Sequence, residues 1–147
     1  MSPLLVLVIL AGALHVAASG CSNGMAVLGG REGDWLGYQL SGGGDFNGDG
    51  EGDELLGAYR ANGYQGEAYV VFGRGEDEAV SVPAELNASW LDGANGFAVP
   101  GLEEQGYLGK SVAFVGDLNG DGLVDLAIGE PGRNILTGRE LHCPSSR

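Results

Sequence analysis

The sequence predicts an all-β fold built from a repeated unit of short strands, and three observations predict it. Glycine supplies 29 of the 147 residues, far above its usual share of about 7%. It has no Gly-X-Y period, so collagen is excluded, and each glycine inside a helix would cost about 1 kcal/mol relative to alanine. Apolar residues fall in short runs bounded by glycine, the pattern of strands between turns. Finally, sliding the sequence by 72 positions lays Asn23–Ala58 on Asn95–Glu130 without a gap, with 16 of 36 pairs identical. Such self-similarity marks a repeat architecture.

Composition narrows the function. With 5 prolines and 44% apolar residues, the chain is not a disordered linker. Its 20 acidic and 7 basic side chains give a formal charge of −13. That charge excludes unassisted binding to nucleic acid or to an anionic membrane and favours cations as partners.

From the N-terminus, Leu4 to Val16 is an apolar run too short to cross a bilayer, which takes about 20 residues. Followed by Ala17-Ala18-Ser19-Gly20, it reads as a secretory signal over residues 1–20, although Met1-Ser2-Pro3 carries no basic residue. An uncleaved anchor or a buried strand is the alternative, and Ala18-Ser19-Gly20-Cys21 also resembles a lipoprotein box. All charged residues lie beyond position 20. Cys21 and Cys143 are too few to define a disulfide framework, and Asn87-Ala88-Ser89 is a glycosylation sequon.

The body divides into a first unit, 21–94, a second, shorter unit, 95–138, and a tail, 139–147. In the first, Tyr38-Gln39-Leu40, Leu55-Leu56 and Ala68-Tyr69-Val70-Val71-Phe72 are strand candidates, the last rich in β-branched and aromatic residues. Phe97-Ala98-Val99 would be the fourth strand. In the second unit, Gly109–Val115 and Leu126-Ala127-Ile128 flank an acidic loop. Pro83–Trp90 is expected to make one helical turn, and Glu76-Asp77-Glu78 a solvated loop. Four short strands per unit cannot bury both faces of one sheet. Stacking such units around an axis, as blades of a β-propeller, is the solution. About two four-stranded blades are present, an incomplete ring that calls for further blades or subunits unless the chain is a fragment.

The most regular element is the loop Asp45-Phe46-Asn47-Gly48-Asp49-Gly50-Glu51-Gly52-Asp53, repeated as Asp117-Leu118-Asn119-Gly120-Asp121-Gly122-Leu123-Val124-Asp125. Oxygen-bearing side chains stand at positions 1, 3, 5 and 9, and the carbonyl at position 7, Glu51 or Leu123, can add another ligand. Ca²⁺ takes about 6–8 oxygens, and glycines at positions 4 and 6 allow the backbone the positive φ needed to wrap. Two divalent ions would bring the charge from −13 to −9. The motif is not an EF-hand, whose glutamate at position 12 is replaced by Leu56 and Ile128. Mg²⁺ demands stricter octahedral geometry, and Zn²⁺ would want His or Cys. A metal-free turn is the simpler alternative, since Asn-Gly and Asp-Gly form hairpins readily.

The run Leu108-Gly109-x5-Gly116-Asp117-x-Asn119-Gly120-Asp121-Gly122-x2-Asp125-x3-Gly129 resembles an FG-GAP repeat, the blade unit of the integrin α-subunit propeller. The resemblance extends over roughly Asn23 to Gly132 and implies a seven-bladed type of propeller with Ca²⁺ in its hairpin loops. By position it assigns Asp45, Asn47, Asp49, Asp53 and the Glu51 carbonyl to one site, and Asp117, Asn119, Asp121, Asp125 and the Leu123 carbonyl to the other. It also implies a secreted or cell-surface module for adhesion or recognition of an extracellular protein or glycan. Departures are Leu36-Gly37 and Leu108-Gly109 in place of Phe-Gly, Glu130-Pro131-Gly132 where Ala-Pro is commoner, and a tail in which Pro144 falls at a strand position. No transmembrane helix or inserted ligand-binding domain follows, so a complete integrin subunit is not expected.

Two other functions compete. Related repeats accompany phospholipase D-like and lyase enzymes, so the chain could be the propeller portion of an enzyme. Against catalysis by these residues, the histidines are His15 and His142, both outside the repeats, and no Ser or Cys there has a histidine partner. The other is a truncated fragment without function of its own.

Overall fold

The computed structural model describes residues 8–10, 26–73 and 85–132. The predicted signal cleavage site, Cys21, Cys143, Glu76–Glu78 and the 139–147 tail lie outside the described residues. In chain order the strands are Val8–Leu10 (β1), Ala26–Leu28 (β2), Gln39–Gly44 (β3), Asp53–Ala58 (β4), Glu67–Val71 (β5), Glu85–Asn87 (β6), Gly96–Pro100 (β7), Ser111–Gly116 (β8) and Asp125–Gly129 (β9). Among the described residues, helix is confined to one irregular turn, Ala61–Tyr64 (α1), and a 3-10 turn, Ala88–Trp90. The all-β prediction holds, as antiparallel sheets of the kind that form propeller blades.

One full blade is present. Its strand order is β3-β4-β5-β7, antiparallel throughout. A second hairpin, β8-β9, repeats β3-β4 at the 72-residue offset, down to the register shift next to the loop, Gly42/Gly44 in one and Phe114/Gly116 in the other. The extra residues, Gly43 in the first hairpin and Val115 in the second, are bulges that end regular pairing and twist the strands into the acidic loops. Sheet and sequence repeat are out of phase by one strand. β7 opens the second sequence unit, yet it pairs with β5 and closes the first sheet.

The repeat-equivalent of β7 behaves differently. β2 runs parallel between β1 and β6 in a separate three-stranded sheet. β5 gives β7 its antiparallel neighbour, whereas no described strand of that kind precedes β2. β1 falls within the segment that reads as a signal, and loss of residues 1–20 would leave β2 paired with β6 alone in that sheet. The helical turn expected over Pro83–Trp90 is confined to Ala88–Trp90. Asn87 caps it by accepting from the Ser89 amide at 2.9 Å, while Glu85–Asn87 is extended.

β4 shows why the four-stranded sheet is the centre of the molecule. Its sequence, DELLGA, lacks strand-like alternation, as expected of a strand buried on both faces. Leu56 packs with Val27, Leu36, Tyr69, Val71 and Ala88 toward the parallel sheet. Leu55 packs on the opposite face with Ala68, Val70, Leu108 and Val112, toward the second hairpin. Full burial of each such leucine or valine is worth about 1.5–3 kcal/mol. Each blade therefore depends on its neighbour for half its core.

Backbone contact reinforces that stacking. The Phe114 amide donates to Ser41 Oγ at 3.1 Å, and the Tyr107 and Leu108 amides donate to the carbonyls of Tyr64 and Gln65, both at 3.0 Å. A Cβ at Gly57 would run into the carbonyl of Gly109. Glycine at position 57 thus lets two blades approach backbone to backbone, a contact any larger residue would push apart.

Candidate functional site

Both acidic loops connect the paired strands at the same end of the sheets. Glycines 48 and 50 take φ of 78° and 92°, and their repeat-equivalents, glycines 120 and 122, 81° and 91°, the left-handed region where L-residues with a Cβ are disfavoured. The aspartate at position 1 then turns inward over the loop's own amides. Asp45 Oδ1 accepts from Gly48 at 2.7 Å and Asp49 at 3.1 Å, and its Oδ2 accepts from Gly50 at 2.9 Å. Asp117 repeats these bonds from Gly120, Asp121 and Gly122 at 2.6, 3.1 and 2.9 Å. Asn47 and Asn119 accept from the amides of Asp49 and Asp121. Asp49 and Asp121 in turn accept from Glu51 and Leu123 at 2.8 and 2.9 Å. The Gly122 amide above all, with Gly120 and Asp121, holds the Asp117 carboxyl below the usual carboxylate range, against the opposing effect of desolvation.

The ninth position closes the loop. Asp53 Oδ2 accepts from the Phe46 amide at 2.8 Å, and Asp125 Oδ2 accepts from Leu118 at 2.7 Å. Asp53 also reaches across the blade, its Oδ1 accepting from Gly73 at 2.9 Å. Next to it, burial and then the Asp53 charge push the Glu54 carboxyl up. The two loops are neighbours, since a Cβ at Gly48 would stand 2.9 Å from Leu123 Cδ2.

Asp45, Asn47 and Asp49 are thus brought into one hydrogen-bonded turn, as are Asp117, Asn119 and Asp121, with Asp53 and Asp125 facing them across each loop. Glu51 is exposed, and Leu123 points its side chain toward the first loop. Among the described residues, no group of three or more His, Cys, Asp or Glu side chains is arranged to hold a metal ion. The carboxylates are instead tied to backbone amides. The donor chemistry nonetheless fits a hard cation: every ligand is an oxygen, and an oxygen accepting one N–H retains a lone pair. Asp45 Oδ2, Asp49 Oδ1 and both Asp53 oxygens are in that state.

The other ends of the same strands carry residues that the sequence analysis did not select. Trp35, Tyr38, Tyr59, Tyr64 and Tyr107 form a chain of ring contacts with centroids 4.6 to 6.3 Å apart. The Arg60 guanidinium lies 3.8 Å from the Trp35 ring centroid, and Lys110 Nζ lies 6.0 Å from Tyr59 and 5.9 Å from Tyr107. The repeat held a clue to this cluster. Trp35-Leu36-Gly37 and Tyr107-Leu108-Gly109 are equivalent turns, closed by Tyr38→Trp35 and Lys110→Tyr107 backbone bonds of 3.2 Å, and both set an aromatic residue before Leu-Gly.

No helix among the described residues is long and apolar enough to cross a membrane. A family model described as the FG-GAP repeat matches residues 108–140, which include the second loop and the β8-β9 hairpin. Over 94 residues the chain is 33% identical to integrin alpha-X of Mus musculus, an alignment that covers 63% of this chain and 7% of that protein. The chain therefore spans a small part of the relative it matches. With paired acidic hairpins on stacked antiparallel sheets, these matches establish that the chain carries an FG-GAP repeat and is similar to integrin α.

Proposed function

We propose that this chain is a calcium-stabilised, non-catalytic module of a secreted or cell-surface protein, used for adhesion or recognition of an extracellular protein or glycan. The observation that carries this reading is the duplicated loop. Six side-chain-to-backbone hydrogen bonds recur in both copies with lengths agreeing within 0.1 Å. Two loops with different neighbours converge on one geometry because their sequence specifies it. The proposed ligands are five oxygen donors per loop: Asp45, Asn47, Asp49, Asp53 and the Glu51 carbonyl, then Asp117, Asn119, Asp121, Asp125 and the Leu123 carbonyl. Ca²⁺ draws the carboxylates onto a common centre and rigidifies the end of each blade. Further blades, or a partner subunit, complete the ring.

Calorimetric titration of the EDTA-treated chain with Ca²⁺ tests the metal. Two binding events are expected with Kd of about 0.1–1 mM, the range of extracellular modules. At about 10 mM Ca²⁺ each site then stabilises the fold by about 1.4–2.7 kcal/mol. A folded chain that takes up no Ca²⁺ and shows no thermal shift removes the calcium assignment.

A further inference from the structure

The triplet Asn87-Ala88-Ser89 is accounted for by neither the repeat nor the acidic loops. The chain has seven asparagines, and Asn87 alone has Ser or Thr two residues later; five of the others precede glycine. Position 87 also falls between the two aligned stretches, so no repeat-equivalent accompanies it.

The fold sets this motif at a corner. Asn87 ends β6, opposite Leu28 of β2, and Ala88–Trp90 turns away as a 3-10 helix. A Cβ at Gly30, in the loop after β2, would stand 3.7 Å from Ser89 Cβ. That loop leads into β3 at Gln39, whereas the acidic loop leaves β3 at Gly44. The triplet therefore lies at the end of the sheets opposite the acidic loops. β6 is also an outer strand, paired with β2 on one side and with no strand on the other among the described residues. Ala88 is the buried member of the triplet, Asn87 is half-buried and Ser89 is exposed.

The two polar atoms of the Asn87 amide have different surroundings. Oδ1 accepts from the Ser89 amide at 2.9 Å and from the Ser89 hydroxyl at 2.7 Å. Nδ2 has no acceptor among the described residues. A sugar joined to Nδ2 leaves the carbonyl in place, so the cap of the 3-10 turn persists. Capping by itself does not select this triplet. Asp or Ser at position 87 would cap as well, and any residue but proline brings an amide to position 89. A carboxamide with a hydroxyl two residues on is instead the pair that N-glycosylation requires. Trp90 is 63% exposed and stands three residues after Asn87, the spacing that brings side chains into line along a 3-10 turn. An open indole has a large apolar face to cover, and a sugar on Asn87 would be held beside it.

We propose that Asn87 carries an N-linked oligosaccharide whose first sugar ring packs on the Trp90 indole. The transfer joins Asn87 Nδ2 to the anomeric carbon of an oligosaccharide carried on a lipid pyrophosphate. The bond from that carbon to the phosphate oxygen breaks, the amide gives up one proton, and the lipid pyrophosphate departs. This inference rests on the secretory part of the proposed function, since the donor is met on entry to the secretory pathway, and is independent of its metal part. A glycan here covers the open edge of β6, of the kind that proteins protect from stray pairing. It leaves the acidic loops clear and keeps a partner subunit from closing over this corner.

The test is expression of the full chain in cultured mammalian cells, with translocation read separately by protease protection after cell-free synthesis with microsomes. Peptide-N-glycosidase is expected to give one downward shift in mass, mapped to Asn87 by peptide mass spectrometry. Ser89→Ala should lose the shift and Ser89→Thr should keep it. Ser89→Ala retains the backbone donor to Asn87 Oδ1, so its loss reports on glycosylation rather than on folding. The chain has two tryptophans, so Trp35→Phe leaves Trp90 as the fluorophore. Acrylamide is expected to quench it more strongly in Trp35→Phe/Ser89→Ala than in the glycosylated Trp35→Phe chain. A protease-protected chain that carries no glycan overturns the inference and leaves the secretory reading standing. A chain degraded by the protease overturns both. Equal quenching overturns the packing on Trp90.

Discussion

Asp53 and Asp125 occupy the same position of the repeat, and only Asp53 is fully buried, with no exposed surface at all. Asp125 is half-exposed. Both accept from the amide seven residues earlier; the further donors to Asp125, the amide and the side-chain Nδ2 of Asn119, belong to its own exposed loop, whereas Asp53 takes the Gly73 amide that follows β5. The third strand of the blade is what covers the first carboxylate. Removing Asp53 strands two amides in a closed setting, each unmade bond costing about 1–3 kcal/mol. Asp53→Ala is therefore expected to destabilise the chain by about 2–4 kcal/mol, and Asp125→Ala by under about 1 kcal/mol, since water can replace its bonds. Urea unfolding in EDTA, where metal makes no contribution, checks the ranking; equal losses would show that burial is not the deciding factor.

With Ca²⁺ present, Asp49→Ala and Asp121→Ala are each expected to abolish one of two binding events and leave the other near its original Kd of about 0.1–1 mM. The double variant should show no Ca²⁺-dependent rise in Tm. A single substitution that removes both events would mean that the adjacent loops share one ion.

Gly48 and Gly120 have φ of 78° and 81°, so alanine at either should cost about 1–2 kcal/mol from backbone strain alone. They differ in surroundings. A Cβ at Gly48 meets Leu123 Cδ2 at 2.9 Å, whereas one at Gly120 meets nothing within 4 Å. Gly48→Ala is expected to be the costlier change, with the excess removed in the Gly48→Ala/Leu123→Ala double variant. Thermal unfolding of the four proteins forms the cycle that measures it. An excess unaffected by Leu123→Ala would place its origin elsewhere.

Burial first, then the hydrogen bond to Glu67 and its charge, push the Tyr69 hydroxyl well above the ordinary value of about 10. The folded chain keeps this proton at a pH where the unfolded chain releases it. Stability should therefore fall as pH rises beyond about 10, by at most about 1.4 kcal/mol per unit from this group. Tyr69→Phe should flatten that slope while leaving the curve between pH 6 and 9 parallel to the parent. Tm measured across the alkaline range decides it, and an unchanged slope would clear Tyr69 of the effect.

What could be read in advance was local. The strands β3, β4, β5, β7, β8 and β9 follow from short apolar runs between glycines, and both acidic loops follow from nine consecutive residues whose side chains bond amides two to seven positions away. Such information is contiguous, and here it survived duplication. The bare list of carboxylates did not reveal that the loop's own amides would engage them.

The sequence by itself determined the all-β class, the 72-residue repeat and the two loops, because turn chemistry and strand pattern act over a few residues. Only the tertiary structure decided that β7 closes the first sheet, that β2 lies in a parallel sheet, that Asp53 is buried and Asp125 is not, and that Trp35, Tyr59, Arg60, Tyr107 and Lys110 share one surface. Those outcomes depend on which blade packs on which. The contacts responsible, such as Gly57 against Gly109, join residues far apart along the chain, and no local pattern records them.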